Sequence, residues 1–306
     1  MAEICFDRDF DPQTGTAVAL GDRVRRVTAP NANPFTFRGT NSYIVGHGHV
    51  AIIDPGPDDG AHIDALIAAT AGETIDAILV THTHRDHSAG VERLKAACGA
   101  PVHAGGAHRF ARPPRPGEDA TLEAGADSAF VPDRQIADGE RLSGDGWSLQ
   151  AIATPGHAAN HMVFALDGSD MLFSGDHVMG WSTTVVAPPD GSMADYLRSL
   201  DILAARPETI YLPGHGAPIA DAPTFVRALK AHRKLREAAI VARIERGDRT
   251  IAEIVAVIYR ETPAALHGAA ALSVLAHIED LVARGRLSVM SGSGLSATYA
   301  PVSAVG

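Results

Sequence analysis

The sequence predicts an α+β protein, a strand-rich part over residues 1–220 followed by a small helical domain over 221–290. Three observations lead there. The first part is punctuated by Gly and Pro and carries short apolar runs. From about Pro223 that texture gives way to helical spacing. The charge changes sign as well: residues 1–217 hold 15 basic and 28 acidic side chains, residues 218–306 hold 11 and 8. In chain order, NSYIVG, VAIID, IDAILVTH and DMLFSGD are apolar runs bounded by turn residues and read as buried strands. FVRALKAHRKLREAAIVARIERG is a helix with Gly247 as its stop. Thr250 then caps TIAEIVAVIYR, and Glu253 completes a capping box. ALHGAAALSVLAHIEDLVARG makes a third helix to Gly285, RLSVM a short strand, and residues 291–306 a loose tail.

Composition excludes several classes. The 306 residues are 45% hydrophobic and 20% charged, with a formal net charge of −10, which is a folding composition. No stretch reads as the roughly 20 apolar residues of a membrane helix. The N-terminal MAEICFDRDFDPQTG is acidic and lacks an apolar core, so no secretory signal is expected. Cys5 and Cys98 cannot build a disulfide framework and read as free thiols of a reducing compartment. Three lysines against 23 arginines, with abundant alanine, suggest a GC-rich genome and hence a bacterial cytoplasmic protein.

The strongest chemical signal is ILVTHTHRDHSAG, where a strand-like run ends in His82, His84, Asp86 and His87. Alternate residues of an extended segment point the same way, so His82 and His84 can reach one ion. Asp86 and His87 lie where the chain turns and can reach a second. Three further segments have the same form: LQAIATPGHAANH with His157, DMLFSGDH with Asp176, and TIYLPGHG with His215. Imidazole and carboxylate suit Zn, Fe or Mn. A lone histidine at a strand end is usually a surface or capping residue, but this recurrence makes coincidence a poor account.

These motifs resemble the metallo-β-lactamase-fold hydrolases, whose signature is THxHxDHxxG followed by separate His, Asp and His motifs. The resemblance implies a four-layer αβ/βα sandwich with two divalent metal ions, zinc first, at one edge between the sheets. It implies that His82, His84 and His157 bind one ion, that Asp86, His87 and His215 bind the other, and that Asp176 bridges them. Asp54 in VAIIDPG matches a carboxylate that orients ligands by hydrogen bonding. Asp176 argues against the true β-lactamases, whose corresponding position is not Asp. GWSTTVVAPPDGSMADYLRSL and the C-terminal helices look like the β-lactamase-like protein 2 family, which carries a winged-helix-like C-terminal domain. That likeness runs from about Asn41 to Val289. Its best-known member is described as an endoribonuclease on single-stranded RNA, and relatives include thioesterases.

The implied activity is a binuclear metal-dependent hydrolase that uses a metal-bridging hydroxide, with Asp86 also steering the nucleophile. Its substrate is a phosphodiester such as single-stranded RNA, or alternatively a thioester, lactone or other small carboxylic derivative. A DNA-binding metal sensor is disfavoured, because the third helix has no Arg, Lys, Asn or Gln before Arg284 to read base edges. The partners expected are a small-molecule or single-stranded RNA substrate, with no membrane and no sequence-specific DNA. The helical domain is better explained as a lid or a homodimer contact. Candidate substrate contacts are His161, a proton donor or a packing residue, and Thr183 and Thr184, hydrogen-bonding groups or simply strand residues. Arg109, Arg112 and Arg115 in RFARPPRPGE form a cationic rim or a solvated loop.

Overall fold

Continuous apolar runs fold into strands that bury both faces, and the computed structural model, which describes residues 4–115, 118 and 125–302, places them in two facing sheets. The first sheet follows chain order: β1 (Val18–Gly21), β2 (Val24–Thr28), β3 (Asn41–His47), β4 (His49–Ile53), β5 (Thr74–Val80), β6 (Val102–Ala104) and β7 (Arg134–Gln135). Its pairs are antiparallel up to β4 and parallel beyond. The second sheet contains β8 (Arg141–Gly144), β9 (Trp147–Ala153), β10 (Met162–Leu166), β11 (Met171–Gly175) and β12 (Ile210–Pro213), in the order β12-β11-β10-β9-β8. Only the β11–β12 pair is parallel there.

Alternation assigns each strand residue to a layer. Tyr43, Val45, Ile53, Leu79, Leu149, Phe164, Phe173 and Leu212 meet between the sheets. Their neighbours Ile44, Ile52 and Ile78 point outward beneath helices α1 (Gly60–Ala69) and α3 (Val91–Cys98). The one-turn α2 (Arg85–Ser88) lies between those two helices in sequence. On the second sheet Val163, Leu172 and Tyr211 point outward beneath α4 (Met193–Ala204) and α5 (Ala222–Glu245). The result is the four-layer α+β sandwich.

The 24-residue α5 belongs to two cores. Val226 and Leu229 pack on the second sheet, whereas Ile240 and Ile244 pack with α6 (Ile251–Ile258), α7 (His267–Ala283) and β13 (Leu287–Ser291). The Thr250–Glu253 capping box forms as expected.

Two readings change. Within the tail of residues 291–306, β14 (Thr298–Pro301) pairs antiparallel with β13, and Tyr299 is buried with its hydroxyl donating to Gly294 O. Residues 303–306 lie outside the described residues. The helical stretch Ala264–Ala283 is also apolar and long enough to cross a membrane by length and composition, contrary to the composition reading. Its apolarity has a local use, because Val274, Leu275, Ile278 and Leu281 form the centre of the small core.

Candidate metal centre

β9, β11 and β12 point the same way, so their C-terminal loops meet at one edge, facing the loop that follows β5 in the other sheet. Asn41 ties the sheets together there: its amide donates to Pro213 O and Gly216 O, and its backbone N–H to Gly214 O. Seven of the predicted residues converge. The nitrogens His82 Nε2 and His157 Nε2 each lie 3.0 Å from His84 Nδ1. His87 Nε2 is 3.4 Å from both Asp86 Oδ2 and Asp176 Oδ1, and His215 Nε2 is 3.2 Å from Asp86 Oδ2 and 3.3 Å from Asp176 Oδ2. Gly214 makes room, since a Cβ there would stand 2.5 Å from Asp176 Oδ1.

The outer nitrogen of each of five imidazoles is held by an acceptor, which leaves the inner nitrogen's lone pair pointing into the cluster. His82 Nδ1 meets Thr81 Oγ1, His84 Nε2 meets Asp190 Oδ2, and His87 Nδ1 meets Asp54 Oδ2. His157 Nδ1 donates to Val185 O and His215 Nδ1 to Gly39 O. Asp54 takes a left-handed φ of 52°, accepts from Thr81 N and Oγ1 at 2.7 Å each, and so fixes the His87 ring from behind.

The donor set fits divalent ions. Zinc–nitrogen bonds of about 2.0 Å in a tetrahedron put ligand atoms about 3.3 Å apart, close to the spacings above. Two buried atoms, His87 Nε2 and Asp176 Oδ1, have no hydrogen-bond partner among the described residues, and leaving such atoms bare costs about 1–3 kcal/mol each. Electrostatics agree. Burial, with the neighbouring imidazoles, holds His82 well below its ordinary pKa, and burial with His84 takes His157 to about 4. Burial also opposes charge on His87 and His215, but Asp86 and Asp176 raise both, His215 to about 9. Burial likewise opposes charge on these carboxylates, yet the facing imidazoles hold both well below the usual range. His82 and His157 therefore refuse protons, whereas Asp190 raises His84 against its burial, and His87 and His215 demand positive charge.

The comparisons agree with this reading. The description "Metallo-beta-lactamase superfamily" matches residues 35–215. The chain belongs to this superfamily. A "Beta-lactamase associated winged helix domain" matches residues 250–293, in keeping with the helix–helix–strand order of α6, α7 and β13. The Drosophila melanogaster Beta-lactamase-like protein 2 homolog is 31% identical over 296 residues, covering 94% of this chain and 97% of its own. An Atrochrysone carboxyl ACP thioesterase from Aspergillus chevalieri is 32% identical over 279 residues, covering 85% and 83%. The crystal structure of a metallo-beta-lactamase family protein from Thermus thermophilus superposes with a TM-score of 0.74 at 27% identity, covering 92% of this chain and all of that one. Superfamily and relatives make the chain a hydrolase, and the fold implies divalent metal ions.

Four substrate contacts expected from sequence take other roles. His161 is buried: its Nε2 accepts from Asp176 N and its Nδ1 meets Thr154 Oγ1, so it positions the Asp176 backbone and cannot serve as an open proton donor. Thr184 is buried and donates to Asp176 O and His177 O. Arg112 forks onto Glu118 and Glu279, and Arg115 onto Glu279, so these two guanidinium groups tether the loop to α7 and are no free cationic rim. Arg109 stays exposed and donates to Ala159 O. Thr183 lines a neighbouring pocket. Asp190, in VAPPDG, was missed: it lies 106 positions from His84, and only the fold joins them. Asp190→Ala is expected to weaken metal affinity about 10–100-fold, as loss of such an orienting partner does, read by chelator competition. Unchanged affinity would reduce Asp190 to a cleft-wall residue.

Proposed function

We propose that the protein hydrolyses a thioester or related small acyl derivative of a carboxylic acid. What carries the reading is the cleft over the cluster, about 520 Å³, whose walls beyond the ligands include Phe35, Met179, Val185 and Ala187. Such walls fit an apolar acyl group better than a run of phosphates. The relative named as an ACP thioesterase supports the same class.

His82, His84 and His157 would hold one ion and Asp86, His87 and His215 the other, with Asp176 between. Bound there, divalent ions supply a water of lowered pKa and a positive pole for the developing oxyanion. Zinc is the ion we propose, on the histidine-rich donor set. Asp86 lines the cleft with 28% of its side chain exposed and is held by Thr40 Oγ1, so it can accept a hydrogen bond from the attacking water and aim it. A thiol with a pKa of about 8.5 leaves without prior protonation. An alkoxide would need a proton donor, and among the described residues the cleft offers no histidine outside the cluster, no lysine and no tyrosine.

Single-stranded RNA is the second reading, favoured by arginines on α5 that lie close to the cleft. The test sets an acyl thioester, a lactone and single-stranded RNA side by side, with metal content measured on the same preparation. Chelator-sensitive thioester turnover that is lost in Asp86→Ala is expected. RNA cleavage lost in Asp86→Ala, with no thioester turnover, would put RNA first. RNA cleavage equal in both proteins would mark a contaminating nuclease.

A further inference from the structure

A second pocket of about 510 Å³ adjoins the metal-centre cleft and shares Phe35, Met179 and Val185 with it, so the two form one groove with an apolar waist. The far wall is α5, which presents His232, Arg233 and Arg236. Arg233 is 3% exposed; one Nη donates to Thr184 O, and Nε is buried with no partner among the described residues. Arg236 lies on the Tyr259 ring at 4.3 Å and, among the described residues, donates only to Ile258 O. Neither has a carboxylate within ion-pair distance among the described residues, and the one acid on the rim, Glu261, is bonded to Arg260. Burial, together with Arg233 and Arg236, lowers His232 to about 4, so it sits there neutral, with its buried Nδ1 unpaired. A buried guanidinium without a counter-charge is costly. Arg233 and Arg236, with Arg8, line one pocket without a carboxylate to answer them among the described residues, and so call for an anion from outside the chain.

We infer that this pocket binds a phosphate at the end of the substrate's thiol arm, while the acyl group lies in the cleft over the metal centre. The inference rests on the thioester reading and names the leaving-group side of the same substrate. A polynucleotide would lay phosphates against Phe35 and Met179 at the waist as well as at the far end. An arm that is neutral along its length and phosphorylated at its tip matches the order of the groove: cluster, apolar waist, arginines. Arg233 touches Thr184, whose hydroxyl holds Asp176 O at 2.7 Å, and the next residue, Val185, accepts from His157 at 2.7 Å. Arg236 stands off that strip, so its loss should act on binding alone.

The test compares one acyl group on three thiols: coenzyme A, pantetheine 4′-phosphate and N-acetylcysteamine, which has no phosphate. Arg236→Gln should raise KM for both phosphorylated thioesters about tenfold, as loss of one charge-assisted hydrogen bond does, with kcat kept. Arg236→Lys should recover part of that, and N-acetylcysteamine thioester kinetics should stay within twofold of wild type. Equal kinetics of wild type and Arg236→Gln on all three, or an equal fall on all three, would overturn the inference. The order of the two phosphorylated thioesters tells a free coenzyme from a carrier-protein arm as the source, and either order supports the site. Equilibrium binding of pantetheine 4′-phosphate, expected to be about tenfold weaker in Arg236→Gln, tests the pocket even if no thioester is hydrolysed. Failure of the thioester reading is thus separable from failure of the site. Binding of single-stranded RNA that depends on Arg236, without binding of pantetheine 4′-phosphate, would replace the inference with the polynucleotide.

Discussion

Asp176→Ala is expected to reduce bound metal from about two ions per chain to one or none and to lower turnover by about 10³-fold or more. The size follows from its position. Asp176 Oδ1 faces His87 Nε2 at 3.4 Å, while Oδ2 faces His215 Nε2 at 3.3 Å and His157 Nε2 at 3.7 Å, so one carboxylate serves both halves of the cluster. Asp86, the other carboxylate facing His87 Nε2 and His215 Nε2 among the described residues, is already engaged there and so does not replace it. His82, His84 and His157 keep three converging nitrogens, which is why one ion can remain. Metal content by elemental analysis, steady-state rates and far-UV circular dichroism check the three parts. Two ions and full turnover in a folded variant would take Asp176 out of the centre. Full activity of the wild type after exhaustive chelation would end the metal mechanism altogether.

The clustered His and Asp residues could be read from the sequence because each follows the end of an apolar strand, either directly or, for Asp86 and His87, in the one-turn α2 just beyond it. Local spacing carries that information: His82 and His84 follow Val80, Asp176 follows Gly175, and His215 lies two residues past Pro213. The sheets were legible for a similar reason, since burial on both faces leaves an uninterrupted apolar run. What failed was pairing at long range. Arg112 and Arg115 looked like free cations because Glu279 lies 167 and 164 positions away. Asp190 gave no signal in the sequence because its partner His84 is 106 positions away. The final strand, TYAP, lies in a Gly/Ser-rich stretch that read as a loose tail, and only its pairing with β13 and the packing of Tyr299 give it structure. Thr184 shows the converse error: a hydroxyl beside a ligand loop suggested substrate, but the backbone carbonyls of Asp176 and His177 took it first.

The last prediction concerns where the catalytic part can be cut. A sequence division at residue 220 invites a chain ending at Asp221, but such a chain is expected not to fold into a stable domain. Val226 and Leu229 on the first half of α5 are fully buried against Leu172, Leu200, Leu203 and Tyr211. Each buried Val or Leu contributes about 1.5–3 kcal/mol, and removing α5 also uncovers the apolar side chains it packs on. A loss of about 5 kcal/mol or more is the size of a whole domain's stability. Arg233 would be lost as well, and with it the hydrogen bond to Thr184 O beside Asp176. A chain ending at Gly247 keeps α5 and all these contacts, while α6 and α7 no longer cover Ile240 and Ile244. It should melt cooperatively at a lower temperature than the full protein and retain most of its metal. Thermal unfolding followed by circular dichroism, with metal content alongside, separates the two chains. A chain ending at Asp221 that melts cooperatively within a few degrees of the full protein would show that the second sheet is sealed without α5, and that this helix belongs to the C-terminal domain alone.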